Sequence, residues 1–373
     1  MTLIKPELTE DIKKYGSFDF SACYNCGNCT AVCNLSEANA SFPRMMIRYS
    51  MLGLKDEILS SKELWMCYAC GDCSDTCPRE AGPGELMANL RRYSIAHYEK
   101  TGITRLIFKN NPVSILITLL LATVLGFFLL TIKPEMEVSR WIFKYLPYEV
   151  IHNTGLLAFA FMGLTAIIGV ISMWIMISRN ASGQTKSKTG ILKRIYASVL
   201  YVLIEAGTMQ RYQDCDSDSS IWNHKPFYLK PWFVHWSIMW GFIGLLLATA
   251  LDFMLKDPAT TIWWPSRVLG TLAGLLMMYG ATIALWYRIK KVNKTYANSM
   301  LADWMFLIFL WVAGITGFWM EITVSINSPL FINQLIFAIH TLVSMELVIL
   351  FAFSKFAHAF YRPLALFIHR FNS

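Results

Sequence analysis

Residues 23–33 read CYNCGNCTAVC and residues 67–78 read CYACGDCSDTCP. Each stretch has three cysteines at three-residue steps and a fourth four residues further on. Cubane iron takes thiolate ligands, and three thiols so spaced wrap one [4Fe–4S] cluster in a short loop. Where two such runs share a chain, the fourth Cys of each ligates the cluster of the other run. The expected sets are therefore Cys23, Cys26, Cys29 and Cys77 for the first cluster, and Cys67, Cys70, Cys73 and Cys33 for the second. Two clusters of this kind move electrons one at a time, so the chemistry expected is electron transfer. The gap between Cys33 and Cys67 has room for helices. Ser41-Phe-Pro43 and the stretch from Ser60 to Glu63 both have helix-start character, the second with capping-box spacing.

Eight of the nine cysteines lie in the two runs, which leaves no framework for disulfides and fits a reducing compartment. Cys215 is the ninth, a solitary thiol in a polar stretch, read as idle. The chain has 373 residues, of which 55% are hydrophobic. Its mean hydropathy of +0.42 is too high for a soluble domain, and the excess lies after about residue 110. Residues 1–15 are polar and mixed in charge, so no signal peptide is expected. The formal charge of +8 sits beside hydrophobic segments. That placement points to membrane orientation and away from nucleic acid.

A spanning helix needs about 20 apolar residues. Six stretches qualify, approximately 112–132, 154–177, 231–255, 268–287, 302–320 and 332–360. Arg91, Arg92, Lys100, Arg105 and Lys109 precede the first. The loop after the second holds Arg179, Lys186, Lys188, Lys193, Arg194, Arg211, Lys225 and Lys230. The loop after the fourth holds Arg288, Lys290, Lys291 and Lys294, and Arg362 and Arg370 follow the sixth. The opposite loops hold only Lys133, Arg140, Lys144, Lys256 and Arg267. The positive-inside rule then predicts a multi-pass protein of the inner (cytoplasmic) membrane with both termini and the cysteine runs cytoplasmic. Residues 181–190 read as a flexible linker. Residues 191–212 carry Ile191, Leu192, Ile195, Val199 and Leu203 near helical spacing, which predicts an amphipathic helix on the membrane face, without chemistry of its own.

Four histidines lie in or beside the spans, where ionisable groups are expensive and mark function. His340 and His358 are eighteen residues apart, five whole turns at about 3.6 residues per turn. On one continuous helix they share a face and stand about 27 Å apart, one in each leaflet. Span direction places His235 level with His358 and His152, just before the second span, level with His340. The expectation is an inner haem b held by His235 and His358, and an outer haem b held by His152 and His340. Bis-imidazole ligation suits electron transfer, since it leaves iron no open position. Lys355 and Arg362 are candidate partners for haem propionates. Glu346 in the last span and Glu321 at the outer end of the fifth are candidates for proton handling. A quinone site is expected beside the outer haem, between the outer ends of the second, fifth and sixth spans.

The stretches SFPRMMIRYSMLGL and LSSKELWMCYACGDCSDTCPRE, with both cysteine runs, resemble the iron–sulfur C subunits of heterodisulfide reductases. VHWSIMWGF around His235, SKFAHAFYR around His358, and His340 resemble the cytochrome b subunits related to heterodisulfide reductase E and nitrate reductase gamma. A chain joining the two resembles the membrane subunits of quinone-interacting oxidoreductase complexes. The resemblance covers about 300 residues, and the cysteine runs are its most specific part. It implies an all-α protein: an α-helical ferredoxin domain over residues 1–110, then a six-helix transmembrane cytochrome b-type bundle over residues 111–373. It also implies menaquinone as the pool, and heterodisulfide reductase A-like flavin and iron–sulfur subunits as partners. Asn34 departs from the pattern, because Pro often follows the fourth cysteine, as Pro78 follows Cys77. Three other functions compete. One is a heterodisulfide reductase-like membrane subunit using another lipid-soluble carrier. A zinc-binding scaffold would explain the CxxC pairs, but neither the third and fourth cysteines nor the intramembrane histidines. A proton-coupled transporter would use His and Glu346 as relays.

Overall fold

The computed structural model describes residues 4–16, 18–36, 41–131, 141–180, 190–218, 221–255 and 264–372. Most of the expected linker and five of the basic residues counted for orientation (Lys133, Arg140, Lys186, Lys188 and Lys256) lie outside them. The described residues form helices and no strand. The first part holds α1 (Leu8–Lys13), α2 (Asn28–Ala31), α3 (Arg44–Leu52), α4 (Lys55–Ser60), α5 (Glu63–Met66), α6 (Asp72–Asp75), α7 (Pro83–Tyr98) and α8 (Ile103–Lys109). Pro83 opens α7, where a missing N–H leaves nothing unsatisfied. The capping box expected at Ser60 does not form. Ser60 closes α4, and the hydroxyl of Ser61 donates to Glu63 instead, at 3.0 Å.

The second part holds α9 (Asn111–Thr131), α10 (Tyr148–Asn180), α11 (Ile191–Thr208), α12 (Gln210–Asp218), α13 (Pro231–Leu255), α14 (Pro265–Lys290), α15 (Lys294–Ala297), α16 (Leu301–Ser325), α17 (Phe331–Leu350) and α18 (His358–Asn372). Six of these, α9, α10, α13, α14, α16 and α17, are long and apolar enough to cross a membrane. α13 and α14 pack most closely. Small residues allow it: a Cβ on Gly241 would stand 2.5 Å from the Met277 backbone nitrogen, and one on Gly280 would stand 2.7 Å from the Val234 carbonyl.

Three expectations change. α10 begins at Tyr148, so His152 lies inside the helix and not before it. The amphipathic helix ends at Thr208, where Met209 takes a left-handed φ of 53° and turns the chain into α12. Ile191, Leu192, Ile195, Val199 and Leu203 of α11 stay exposed, while Ser198 and Glu205 are buried. The sixth span is also broken. α17 stops at Leu350, two 3-10 turns follow (Phe351–Phe353 and Lys355–Ala357), and Ser354 between them is extended with φ −108° and ψ −177°. The Ser354 side chain accepts from the Phe356 amide, so a local cap replaces the helical ladder. A single-helix register between His340 and His358 therefore does not exist.

The break sends α18 across the cysteine-bearing part. Tyr361 packs against Trp65 and Tyr98 with ring centroids 5.1 Å from each. One continuous core runs from Ile12, Ile47 and Leu86 through Met173 and Ile177 of α10 to Phe353, Ala365 and Ile368. At its edge the Asp303 carboxylate, 2% exposed, accepts from Arg92 at 2.7 Å and pairs with Lys355 at 3.3 Å. Removing one partner of a buried pair strands the other charge, at about 3–5 kcal/mol. The variant Asp303→Asn is expected to lower the thermal unfolding midpoint of the detergent-solubilised chain, whereas exposed Glu10→Gln leaves it unchanged.

Candidate iron–sulfur and histidine sites

The two cysteine runs follow the same backbone path. Asn25 and Ala69 take left-handed φ values of 55° and 57°, and Gly27 and Gly71 take 91° and 100°. Each glycine then leads into a single helical turn, α2 or α6. The φ at Gly71 disfavours any side chain. A Cβ there would also stand 3.3 Å from both Asn293 Nδ2 and Thr295 Oγ1, at the start of α15. Asn28 Nδ2 donates to the Thr76 carbonyl at 2.6 Å and ties the two loops together.

That tie brings Cys77 to the first run. Cys23, Cys26, Cys29 and Cys77 line one cavity, with Arg44 and Arg79 at its rim. Cys33 lies near Cys67 and Cys70 of the second run as well as Cys29 of its own. Burial pushes its thiol up to about 12, and the closeness of Cys67 and Cys70 adds to the rise. Burial, with Cys67, Cys70 and Cys33 nearby, also holds Cys73 well above the usual thiol range. Thiols gathered in this way resist ionisation until a cation compensates them, and metal binding then releases protons. Among the described residues no three His, Cys, Asp or Glu side chains converge tightly enough to hold a single metal ion.

Cys215 is not solitary. α12 sets it beside Cys70, and its approach together with burial holds the Cys70 thiol well above the usual range. Sequence reading missed this because the contact joins residues 145 apart, and it depends on the turn at Met209.

The second loop faces the membrane bundle. Arg362 of α18 donates to the carbonyls of Cys67 and Met66 at 3.1 and 3.2 Å. Its guanidinium also lies 3.6 Å over the Tyr68 ring. Arg91 donates to the Leu64 carbonyl at 3.0 Å and to the Cys67 carbonyl. Both residues expected at haem propionates are thus engaged elsewhere, Arg362 on the cysteine loop and Lys355 on Asp303. After the helix break at Ser354, Lys355 turns to the start of α16 and Arg362 to the cysteine-bearing part.

His235 and His358 come together, with ring centroids 5.8 Å apart. His358 Nδ1 lies 2.8 Å from the Lys355 carbonyl and His235 Nδ1 lies 3.3 Å from Met209 Sδ. With Nδ1 so oriented, Nε2 is the ring atom each has for a metal. Among the described residues, His152 and His340 make no ring contact with each other. The His152 ring stacks on Phe253 at 4.4 Å and on Tyr148 at 6.0 Å. His340 lies midway along α17 and faces α16, with Nδ1 3.0 Å from Thr316 Oγ1 and 3.1 Å from the Ala313 carbonyl. Gly317 makes room for its ring, because a Cβ there would stand 3.2 Å from Cε1. Val150 and Ile151 of α10 share one apolar cluster with Phe337, Ala338 and Leu342 of α17, so the two histidines flank the same packing layer.

Glu346 is 3% exposed on α17, and its Oε1 has no hydrogen-bond partner among the described residues. Glu321 accepts from the Thr271 hydroxyl at 2.6 Å, across α14 and α16. Tyr68, Tyr212 and Glu205 carried no expectation from the sequence, yet the fold gathers them between the second loop and His235. The one available signal was that Tyr24 and Tyr68 occupy the same place in the doubled run.

Residues 19–81 match the family described as a 4Fe-4S dicluster domain. Over 77 residues the chain is 40% identical to the C subunit of the H(2):CoB-CoM heterodisulfide,ferredoxin reductase of Methanothermobacter thermautotrophicus, covering 21% of this chain and 42% of that protein. A protein of Archaeoglobus profundus described as similar to the heterodisulfide reductase C subunit is 33% identical over 98 residues, 26% of this chain and 52% of that protein. The iron-sulfur C subunit of the CoB–CoM heterodisulfide reductase of Methanopyrus kandleri is 45% identical over 58 residues, 16% of this chain and 30% of that protein. The chain thus spans about half the length, or less, of the curated relatives it matches. No solved structure matches it. The N-terminal part thus matches a 4Fe-4S dicluster domain and is similar to the C subunits of heterodisulfide reductases, in a chain that also carries six membrane-type helices.

Gly71→Ala forces a side chain into a left-handed site, at about 1–2 kcal/mol, and into the Asn293–Thr295 contact. It is expected to lower bound iron per polypeptide. Gly102→Ala meets a similar φ with nothing among the described residues within 4 Å and is expected to retain full iron. Iron quantification on the two purified variants checks this.

Proposed function

We propose that the chain is the membrane electron-transfer subunit of an oxidoreductase complex, similar to the fused iron–sulfur and cytochrome b subunits of quinone-interacting membrane-bound oxidoreductases. It would connect a lipid quinone, menaquinone by resemblance, to soluble flavin and iron–sulfur subunits of the heterodisulfide reductase A type. When bound, [4Fe–4S] clusters and haem b supply one-electron carriage, which lets two-electron quinone chemistry be divided into single steps.

In this reading Cys23, Cys26, Cys29 and Cys77 hold one cluster, and Cys67, Cys70, Cys73 and Cys33 hold the other. His235 and His358 hold the inner haem through Nε2. His152 and His340 are the candidates for a second haem, and the space that Gly317 leaves at His340 supports the latter. The first basin opens at the surface, where Cys26 and Tyr24 are exposed, and Arg44 and Arg79 rim it. A soluble partner would dock there. The second basin faces the bundle. The ends of α10 and α16 that lie beside the cysteine-bearing part adjoin the Lys- and Arg-rich loops. The positive-inside rule places that side in the cytoplasm. Glu321 and Glu346 would handle quinol protons.

The observation that carries this reading is the 5.8 Å approach of His235 and His358 at the bundle end that abuts the second cysteine loop. A dithionite-minus-oxidised visible spectrum of the purified chain, with haem and iron counted per polypeptide, tests it. About eight iron atoms outside haem are expected for two cubanes, with one haem or two. His235→Ala and His358→Ala are expected each to remove the same haem, and His152→Ala removes a second one if His152 is a ligand. Iron with no haem at all would end the cytochrome reading. For the crossed sets, Cys77→Ala is expected to abolish the electron paramagnetic resonance (EPR) signal that Cys23→Ala abolishes, and Cys33→Ala the one that Cys67→Ala abolishes. Because the matched relatives are named as heterodisulfide reductase subunits, another lipid-soluble carrier is the second reading. The proteins that co-purify and the quinone retained separate the two.

A further inference from the structure

The doubled cysteine run places one tyrosine after the first cysteine of each copy, and the two have different surroundings. Tyr24 is 68% exposed, with Arg79 4.3 Å over its ring. Tyr68 is enclosed. Arg362 covers one side of its ring at 3.6 Å, and Tyr212 of α12 stacks on it with centroids 4.8 Å apart and planes 22° apart. The Tyr68 hydroxyl donates to the buried carboxylate of Glu205 on α11. Tyr212, itself buried, presents its ring edge-on to His235 at 6.3 Å, and His235 lies 5.8 Å from His358. An unbroken series of rings therefore runs from the backbone between Cys67 and Cys70 to the histidine pair.

We propose that the stacked rings of Tyr68 and Tyr212 are the bridge by which electrons cross between the second cysteine basin and the His235–His358 pair. The proposal rests on the reading of those residues as cluster and haem ligands. Electron tunnelling weakens steeply with each gap across which no bonded or closely packed atoms lie. The stack replaces such a gap by two aromatic rings in contact. One electron moves per crossing: the donor at one end loses it and the acceptor at the other gains it. No bond is made or broken, and both phenol protons stay in place. Arg362 and Glu205 are positioning residues. Arg362 clamps the Tyr68 ring from above while holding the Cys67 and Met66 carbonyls, and Glu205 fixes its hydroxyl. Tyr24, open to water in the equivalent position, marks the end at which no such bridge inward is needed.

The test uses the full chain in detergent. A flash of photoexcited deazaflavin reduces the iron–sulfur domain from the aqueous side. The phase of haem reduction that does not depend on deazaflavin concentration then reports internal transfer. Tyr68→Leu and Tyr212→Leu are each expected to slow that phase by about tenfold or more, a rise of about 1.4 kcal/mol in the barrier. Haem content, iron content and cluster EPR are expected to stay unchanged. Tyr68→Phe and Tyr212→Phe keep the rings and are expected to keep the rate. Tyr212→Met, which refills the volume, replaces the leucine variant if that one fails to fold. Independently of electron flow, benzoylphenylalanine at position 212 in native membranes is expected to photo-cross-link to the peptide carrying Tyr68. Unchanged rates in the leucine variants, equal slowing by Phe and Leu, or no cross-link to that peptide would each overturn the bridge. Absence of haem from the unaltered chain would instead overturn the cytochrome reading on which it depends.

Discussion

The buried carboxylate of Asp303 ties together parts that sequence keeps far apart. It sits at the start of α16 and accepts from Arg92 in the cysteine-bearing part, while Lys355 reaches it from the turn after α17. Buried ion pairs contribute little net stability, because desolvation offsets their attraction. The stability comes from the apolar core around Trp65, Tyr98 and Tyr361. Asp303 contributes register. An apolar surface alone tolerates sliding, whereas a buried carboxylate must meet its two cations or remain uncompensated. The position of the second cysteine loop over the bundle follows from that constraint.

From this register comes a polarity. The two copies of the cysteine run share their left-handed turns and their glycines, so as isolated loops they are close to equivalent. Docking makes them unequal. One copy keeps its tyrosine in water, and the other has it clamped between Arg362 and Tyr212. Duplicated local sequence thus acquires an outward end and a membrane-facing end through packing. The break at Ser354 is part of the same device. Had α17 continued as a straight helix, Arg362 and Tyr361 would lie along the span axis and not across the cysteine loop.

The sequence by itself determined the all-helical class, the six apolar spans and the two sets of thiols at cubane spacing, because each depends on local composition and short-range spacing. Hydropathy needs only a window of neighbours, and a loop that wraps a cluster is complete within a few residues. The His235–His358 approach was foreseen from span direction alone. What only the tertiary structure decided involves residues remote in sequence: Cys215 beside Cys70, Tyr212 on Tyr68, Arg362 on the Cys67 carbonyl and Asp303 between two cations. The break after Leu350 belongs here too. Phe351, Ala352, Phe353 and Ala357 are apolar, so periodicity runs through them without interruption, and only docking against the cysteine-bearing part offsets the helical hydrogen bonds lost at the extended Ser354. Local chemistry sets which groups are available, and long-range packing sets which of them touch.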